Sequence, residues 1–205
     1  MKLKVCGMKF PGNIREVAGI KPDYLGFIFY TRSPRYVGEQ FDLKNLLGLP
    51  AATQTVGVFV NAGKAYVLQK AMKYQLDHVQ LHGDESPEYC RDLKGAVRII
   101  KAFGLHSKFD FGTLEAYKPY CDHFLFDTRA AGYGGSGKAF NWEVLSKYDN
   151  EVPFFLSGGL GPAHVKAVKR LKRLNICAVD VNSRFEVSPG LKDTALLAAF
   201  KKQLK

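Results

Sequence analysis

Eight short, apolar, β-rich runs recur from one end of the chain to the other, with helical spacing in the gaps, and this alternation constrains the fold more than any other feature. The runs are Leu3 to Cys6, Tyr24 to Phe29, Thr55 to Val60, His78 to His82, Arg98 to Phe103, His123 to Asp127, Pro153 to Ser157 and Ala178 to Val181. Gly63 to Gln75 puts Ala65, Leu68, Ala71 and Met72 on one helical face, and Pro162 to Leu174 does the same with Val165, Val168 and Leu171. Asn13 to Ala18, Pro87 to Leu93, Leu114 to Tyr120, Asn141 to Tyr148 and Asp193 to Leu204 continue the pattern, and Asp42 to Leu49 carries its faintest helix. A strand followed by a helix, repeated, makes a parallel sheet, because each return to the same edge needs a crossover. Eight units in 205 residues leave about 26 residues apiece, enough for strand, helix and short loops. Runs such as Val56-Gly57-Val58-Phe59-Val60 are apolar throughout, as expected of strands covered on both faces. The sequence thus predicts one α/β domain over residues 1–205, a single (β/α)8 TIM barrel of parallel strands rather than an open doubly wound sheet. No linker divides it, and no sequence repeat is visible beyond the alternation itself.

Composition, 46% hydrophobic and 24% charged, is that of a globular protein and excludes a disordered or collagen-like chain. Thirty Lys and Arg against nineteen Asp and Glu leave a net charge of +11, which predicts anionic company: nucleic acid, an acidic surface or a phosphorylated metabolite. The densest basic run, Lys166, Lys169, Arg170, Lys172 and Arg173, is interleaved with apolar residues as on a solvated helix face, so no nucleic-acid partner is expected. Cys6, Cys90, Cys121 and Cys177 form no Cys-x-x-Cys pair, which argues for a reducing compartment without a disulfide framework or zinc knuckle. Met1 is followed at once by Lys2-Leu3-Lys4-Val5-Cys6, and no apolar run reaches membrane-spanning length, so a cytoplasmic protein with no membrane partner is expected.

In such a barrel the loops after the strands build the functional face. Cys6 ends the first run and is followed by Gly7, so it is either a base or nucleophile at the barrel mouth or a small buried hydrophobe. The other three cysteines read as packing residues, Cys177 just ahead of the last strand. Asp127 ends the sixth run; partial withdrawal from water suits it to donating a proton, and the alternative is a turn cap or a pair with Arg129. The Ser33-Pro34 turn presents Arg35 and Tyr36, either to an anionic aromatic ligand or to solvent. Gln80 and His82 end the fourth run and either orient a ligand or bond within the mouth.

Two strand ends carry a phosphate signature: Ser157-Gly158-Gly159-Leu160-Gly161-Pro162 opens a helix after the seventh run, and Asp180-Val181-Asn182-Ser183-Arg184 follows the eighth. Backbone N–H groups freed by glycine bind an oxyanion without a metal, and barrels commonly hold phosphate after these two strands. Gly132-Tyr133-Gly134-Gly135-Ser136-Gly137 fits the dinucleotide pattern, but Thr128 to Ala131 separate it from the strand and no ribose-binding acid ends the next one. It reads instead as a flexible loop of the active site. The five histidines, at 78, 82, 106, 123 and 164, suggest no metal set.

Read together, the strand ends resemble the phosphoribosylanthranilate isomerases of tryptophan biosynthesis. The ordered set runs through Lys4-Val5-Cys6-Gly7, Leu25-Gly26-Phe27-Ile28-Phe29-Tyr30, Ser33-Pro34-Arg35-Tyr36, Val58-Phe59-Val60-Asn61 and Val79-Gln80-Leu81-His82-Gly83-Asp84-Glu85. It continues with Phe126-Asp127-Thr128, Gly134-Gly135-Ser136-Gly137, Phe140-Asn141-Trp142 and Ser157-Gly158-Gly159-Leu160. The resemblance implies the same barrel and a cofactor-free Amadori rearrangement of a small-molecule substrate, N-(5-phosphoribosyl)anthranilate. By similarity Asp127 is the general acid, Cys6 the general base and Arg35 the holder of the anthranilate carboxylate. It likewise gives Gly158, Gly159 and Ser183 to the phosphate, and makes Gly134, Gly135 and Gly137 part of a loop that closes over the substrate. The chain departs from the family after the last strand, where Asn182-Ser183-Arg184-Phe185-Glu186 replaces two small residues and a glycine, and Arg129 replaces the usual lysine. Related phosphate-binding barrels fit less well: the isomerase of histidine biosynthesis typically has an aspartate where this chain has Cys6, and ribulose-phosphate epimerases typically need a metal. A basic metabolite- or nucleic-acid-binding barrel without this activity is the other reading. Oligomeric state is not legible in the sequence.

Overall fold

The computed structural model describes residues 1–128, 142–171 and 173–204. Eight strands close into an all-parallel barrel in chain order: β1 Lys2–Val5, β2 Tyr24–Ile28, β3 Gln54–Phe59, β4 His78–Leu81, β5 Arg98–Leu105, β6 His123–Thr128, β7 Phe154–Leu156 and β8 Ile176–Val181. Closure is direct, since β1 pairs with both β2 and β8. All five residues of β2 are buried, because helices cover the sheet outside and side chains fill it inside. Cys177 lies within β8, not ahead of it, and its Sγ is 3.6 Å from the Tyr24 hydroxyl.

The outer layer is less helical than the periodicity predicts. The α-helices are α1 Pro11–Gly19, α2 Lys64–Lys73, α3 Pro87–Leu93, α4 Val165–Arg170 and α5 Thr194–Leu204. The stretches expected at Asp42 to Leu49, Leu114 to Tyr120 and Asn141 to Tyr148 instead form 3-10 turns at Leu43–Asn45, Phe111–Leu114 and Trp142–Lys147. Asp42 and Asp110 open two of these turns by accepting the N–H two residues on, a geometry that favours a tight turn over a long helix. The Pro162 segment likewise begins as a 3-10 turn, Pro162–His164, before α4. In α2 the buried residues are Val67 and Ala71, with Tyr74 behind them, while Met72 is 81% exposed, so the inward stripe is rotated from the one read off the sequence. In α4 Val165 and Val168 face inward as the spacing predicts. No described helix is long and apolar enough to cross a membrane.

The barrel floor is built by a device that recurs every second strand. Asp23, Asp77 and Asp122, each just before an even strand, accept the backbone N–H of Leu3, Thr55 and Ile99 at the start of the preceding odd strand, at 2.7–2.8 Å. The residue after each aspartate points a ring inward, and Tyr24, His78 and His123 join Phe155 in a closed square of edge-to-face contacts, with centroids 5.0–5.8 Å apart. Val56, Ile100, Leu125 and Ala178 pack with these rings as the inner core. Each such fully buried side chain contributes roughly 1.5–3 kcal/mol. Rings thus fill the floor, two of them histidines, and the polar network of Lys4, Gln80 and Asp180 is built among the buried inward residues nearer the strand ends.

Candidate active site

Alternation along β1 places Lys4 and Cys6 on the same inward face, Cys6 just past the strand with its N–H donating to Val181 O at 2.9 Å. Gly26 on β2 makes this possible: a Cβ there would lie 2.8 Å from Cys6 Sγ and 3.1 Å from its Cα. Burial pushes the Cys6 thiol up and Asp180 adds to that, while the ammonium groups of Lys4 and Lys192 pull it down without prevailing. The balance favours the neutral thiol over the thiolate.

Lys4, which the sequence reading passed over, is the centre of the site. Its side chain is completely buried and donates to Asp180 Oδ1 at 2.9 Å and to Gln80 Oε1 at 2.8 Å. Burial alone would discharge it, but the Asp180 carboxylate beside it outweighs that and holds the ammonium above its ordinary value. Isolating one member of such a buried pair costs roughly 3–5 kcal/mol, whereas replacing the whole pair with apolar residues is often neutral, so stability alone does not account for it. Its i, i+2 relation to Cys6 was the sequence signal that could have found it.

Asp180 also accepts from Ser157 Oγ at 3.2 Å, which ties the ends of β7 and β8 to the same network. On the far side Gln80 Nε2 lies 2.6 Å from His82 Nδ1, and His82 Nε2 lies 3.5 Å from Asp127 Oδ2. His82 and Asp127 are each about a third exposed, at the rim, so the mouth grades from sealed to wet within one layer. The network thus runs from Lys4 to Asp127 through the first, fourth and sixth strands, with the eighth joining it at Asp180.

Arg35 is held by Glu186, with Nε at 2.9 and 3.0 Å from the two carboxylate oxygens and Nη2 at 2.7 Å from Oε2. Burial pushes Glu186 up, but Arg35 and Lys192 outweigh it and keep the carboxylate below its usual range. A small hairpin not foreseen from the sequence, β9 Glu186–Ser188 with β10 Leu191–Lys192, brings Lys192 Nζ within 2.7 Å of Glu186 and 2.6 Å of Asn182. Gly7, at φ +75°, threads between: a Cβ would meet Asn182 Oδ1 at 2.7 Å and Arg35 Cδ at 2.8 Å.

The two predicted phosphate loops sit side by side after neighbouring strands. Gly158 and Gly159 adopt φ of +98° and +60°, a turn closed to most side chains, and buried Leu160 anchors it. A Cβ on Gly159 would meet nothing within 4 Å, which leaves its backbone open to a ligand. Ser183 and Arg184 stand exposed in a 3-10 turn pinned by buried Phe185, and Arg184 packs within 3.6 Å of where a Gly161 Cβ would sit. Gly134, Gly135 and Gly137 lie outside the described residues, as does Arg129. Among the described residues no three metal-ligating side chains converge. A cleft of about 660 Å³ lined by Asp77, Arg98 and Asp122 opens at the opposite, N-terminal face and shares no residue with this site.

The family model for N-(5'phosphoribosyl)anthranilate (PRA) isomerase matches residues 3–203. Among curated proteins, the N-(5'-phosphoribosyl)anthranilate isomerase of Parabacteroides distasonis is 45% identical, covering all of this chain and 93% of its own length. That of Phocaeicola vulgatus is 44% identical, over all of this chain and 98% of its own. Among solved structures, phosphoribosyl anthranilate isomerase from Thermotoga maritima superposes with a TM-score of 0.90 at 34% identity, covering all of this chain and 98% of the other. A phosphoribosyl anthranilate isomerase in complex with reduced 1-(o-carboxyphenylamino)-1-deoxyribulose 5-phosphate superposes with a TM-score of 0.86 at 31% identity, with the same coverage.

Proposed function

The chain belongs to the N-(5'-phosphoribosyl)anthranilate isomerase family, and from that premise we propose how its own residues carry the reaction. The reaction is the Amadori rearrangement of N-(5-phosphoribosyl)anthranilate to 1-(2-carboxyphenylamino)-1-deoxyribulose 5-phosphate, a step of tryptophan biosynthesis. Asp127 protonates the ribose ring oxygen; the bond from that oxygen to C1 breaks, and the nitrogen lone pair forms an iminium at C1. The positive iminium acidifies the proton on C2, and Cys6 as thiolate removes it to give an enolamine. The enolamine gains a proton at C1 and loses the one on the C2 oxygen, leaving the ketone. No redox partner enters, because C1 and C2 exchange oxidation level within one molecule.

The observation that carries this reading is the placement of a buried thiol and a rim carboxylate at one mouth, with the Lys4–Gln80–His82 chain reaching the carboxylate, beside the Gly158-Gly159 and Ser183 loops. Those loops would take the phosphate with backbone N–H groups and the Ser183 hydroxyl, with Arg184 lining them. Asp180 would hold a ribose hydroxyl near the reacting carbons, while Gln80, whose oxygen and nitrogen are taken by Lys4 and His82, orients those neighbours and not the substrate. Gly134, Gly135 and Gly137 would close over the bound substrate.

Arg35 would hold the anthranilate carboxylate. Glu186 takes its Nε and one Nη2 contact, which fixes the guanidinium plane and leaves Nη1 for a ligand oxygen. Lysine cannot serve both carboxylates in this fork geometry, so Arg35→Lys is expected to raise KM roughly ten- to a hundredfold with a smaller change in kcat. Steady-state kinetics check this; an unchanged KM assigns the carboxylate elsewhere.

The reading as a whole is tested by following the fluorescence of phosphoribosylanthranilate, generated in place, on adding the wild-type protein with a chelator present. Rapid loss of the signal is the expected result. A folded protein that leaves the substrate to its uncatalysed decay would overturn the assignment.

A further inference from the structure

A lysine ammonium has three protons and no lone pair, so it can only donate. The Gln80 atom 2.8 Å from Lys4 Nζ must therefore be the carbonyl oxygen, which turns the amide nitrogen toward His82 Nδ1 at 2.6 Å. An amide NH2 also only donates, so His82 Nδ1 must present its lone pair, and a neutral ring then carries its proton on Nε2. That nitrogen faces Asp127 Oδ2 at 3.5 Å. The orientation of amide and ring follows from chemistry, not from how their atoms are placed, because each link in the chain admits only one donor. Lys4 and Gln80 are 0% and 1% exposed, so water does not offer either an alternative partner.

We infer that Lys4, acting through Gln80, locks His82 as the Nε2–H tautomer and aims that proton at Asp127, making Lys4, Gln80 and His82 positioning residues for the general acid. The inference rests on the role proposed above for Asp127. Two consequences follow for proton transfer. Nε2–H has no lone pair to take the acid's proton, so the ring does not draw that proton off and it stays available to the ring oxygen of the substrate. As it leaves, charge grows on the carboxylate and the Nε2–H bond to Oδ2 strengthens, which is stabilisation realised in the transition state. Nε2 and Oδ2 lie 3.5 Å apart, and the positioning role requires that contact to shorten when substrate is bound.

Gln80→Glu tests the lock with almost no change of shape. The glutamate still accepts from Lys4, but its second oxygen accepts where the amide donated, so His82 must hold a proton on Nδ1, and a neutral ring then leaves Nε2 bare. Nitrogen-15 spectra of the histidine rings, with His82 assigned by its loss in His82→Gln, read the tautomer directly in the free protein. The wild type is expected to show a bare Nδ1 and a protonated Nε2, and Gln80→Glu a protonated Nδ1. The variant's kcat is expected to fall roughly ten- to a hundredfold, the worth of one charge-assisted hydrogen bond, with KM within about threefold of wild type.

A protonated Nδ1 in the wild type would overturn the lock without any variant being needed, should Gln80→Glu fold poorly. A switched tautomer with unchanged kcat would overturn the positioning role. Activity of the wild type is read separately, so an inert protein with the stated tautomer would refute the acid assignment and leave the Lys4–Gln80–His82 orientation intact.

Discussion

Asp127→Asn is expected to lower kcat by roughly 10²- to 10⁴-fold, the usual worth of a general acid, while KM changes by no more than a few-fold. Asparagine has nearly the same shape and keeps an oxygen for His82 Nε2–H, so the rim geometry at 3.5 Å survives. What it lacks is an acidic proton. Without one the ring oxygen must leave as an alkoxide, and the ring-opening step slows while phosphate and carboxylate contacts persist. Rapid-quench or fluorescence kinetics of the purified variant, with far-ultraviolet circular dichroism to confirm folding, check the expectation. A variant at full rate would mean that another group opens the ring.

Cys6→Ser is expected to cost a similar factor, roughly 10²- to 10⁴-fold in kcat, because a serine hydroxyl is a far poorer base than a thiolate. The pH profile of the wild type separates this role from mere packing. Catalysis requires Asp127 with its proton and Cys6 without, and a carboxylic acid titrates below a thiol. Between the two values the population of that state does not vary with pH, since what deprotonation gains at the thiol it loses at the acid. The profile of kcat/KM is therefore level through neutrality, and its alkaline fall reports the thiol. Burial pushes Cys6 up against the pull of Lys4 and Lys192, so that fall should begin above the ordinary thiol value of roughly 8.5. An alkaline limb well below that value, or a serine variant at full rate, would remove Cys6 as the base.

The alternation of apolar runs and helical spacing was enough to determine the barrel. Strands buried on both faces leave an unbroken apolar signal, and eight short strand-helix units favour a barrel, which the pairing of β1 with β8 closes. Cys6, Asp127, Gln80, His82 and Asp180 were legible for the same reason, since each follows or ends a run and the strand ends are where a barrel gathers its polar groups. Their partners were not. Nothing local to Arg35 points to Glu186, 151 positions away, and Lys4 reaches Asp180 across 176 and Gln80 across 76. Such pairs exist only because closure brings β1 against β8 and leaves β4 facing the same axis. The 3-10 turns in place of three helices were hidden for the opposite reason: tight turns share the three-to-four spacing of short helices, and Asp42 and Asp110 decide between them by bonding two residues ahead. The sequence by itself determined where the strands run and which polar groups stand at their ends, because an apolar run and what punctuates it are local. Tertiary structure alone decided which inward groups meet, and hence the upward push on both Lys4 and the Cys6 thiol, because burial and Coulomb energy depend on distances that only the closed barrel sets.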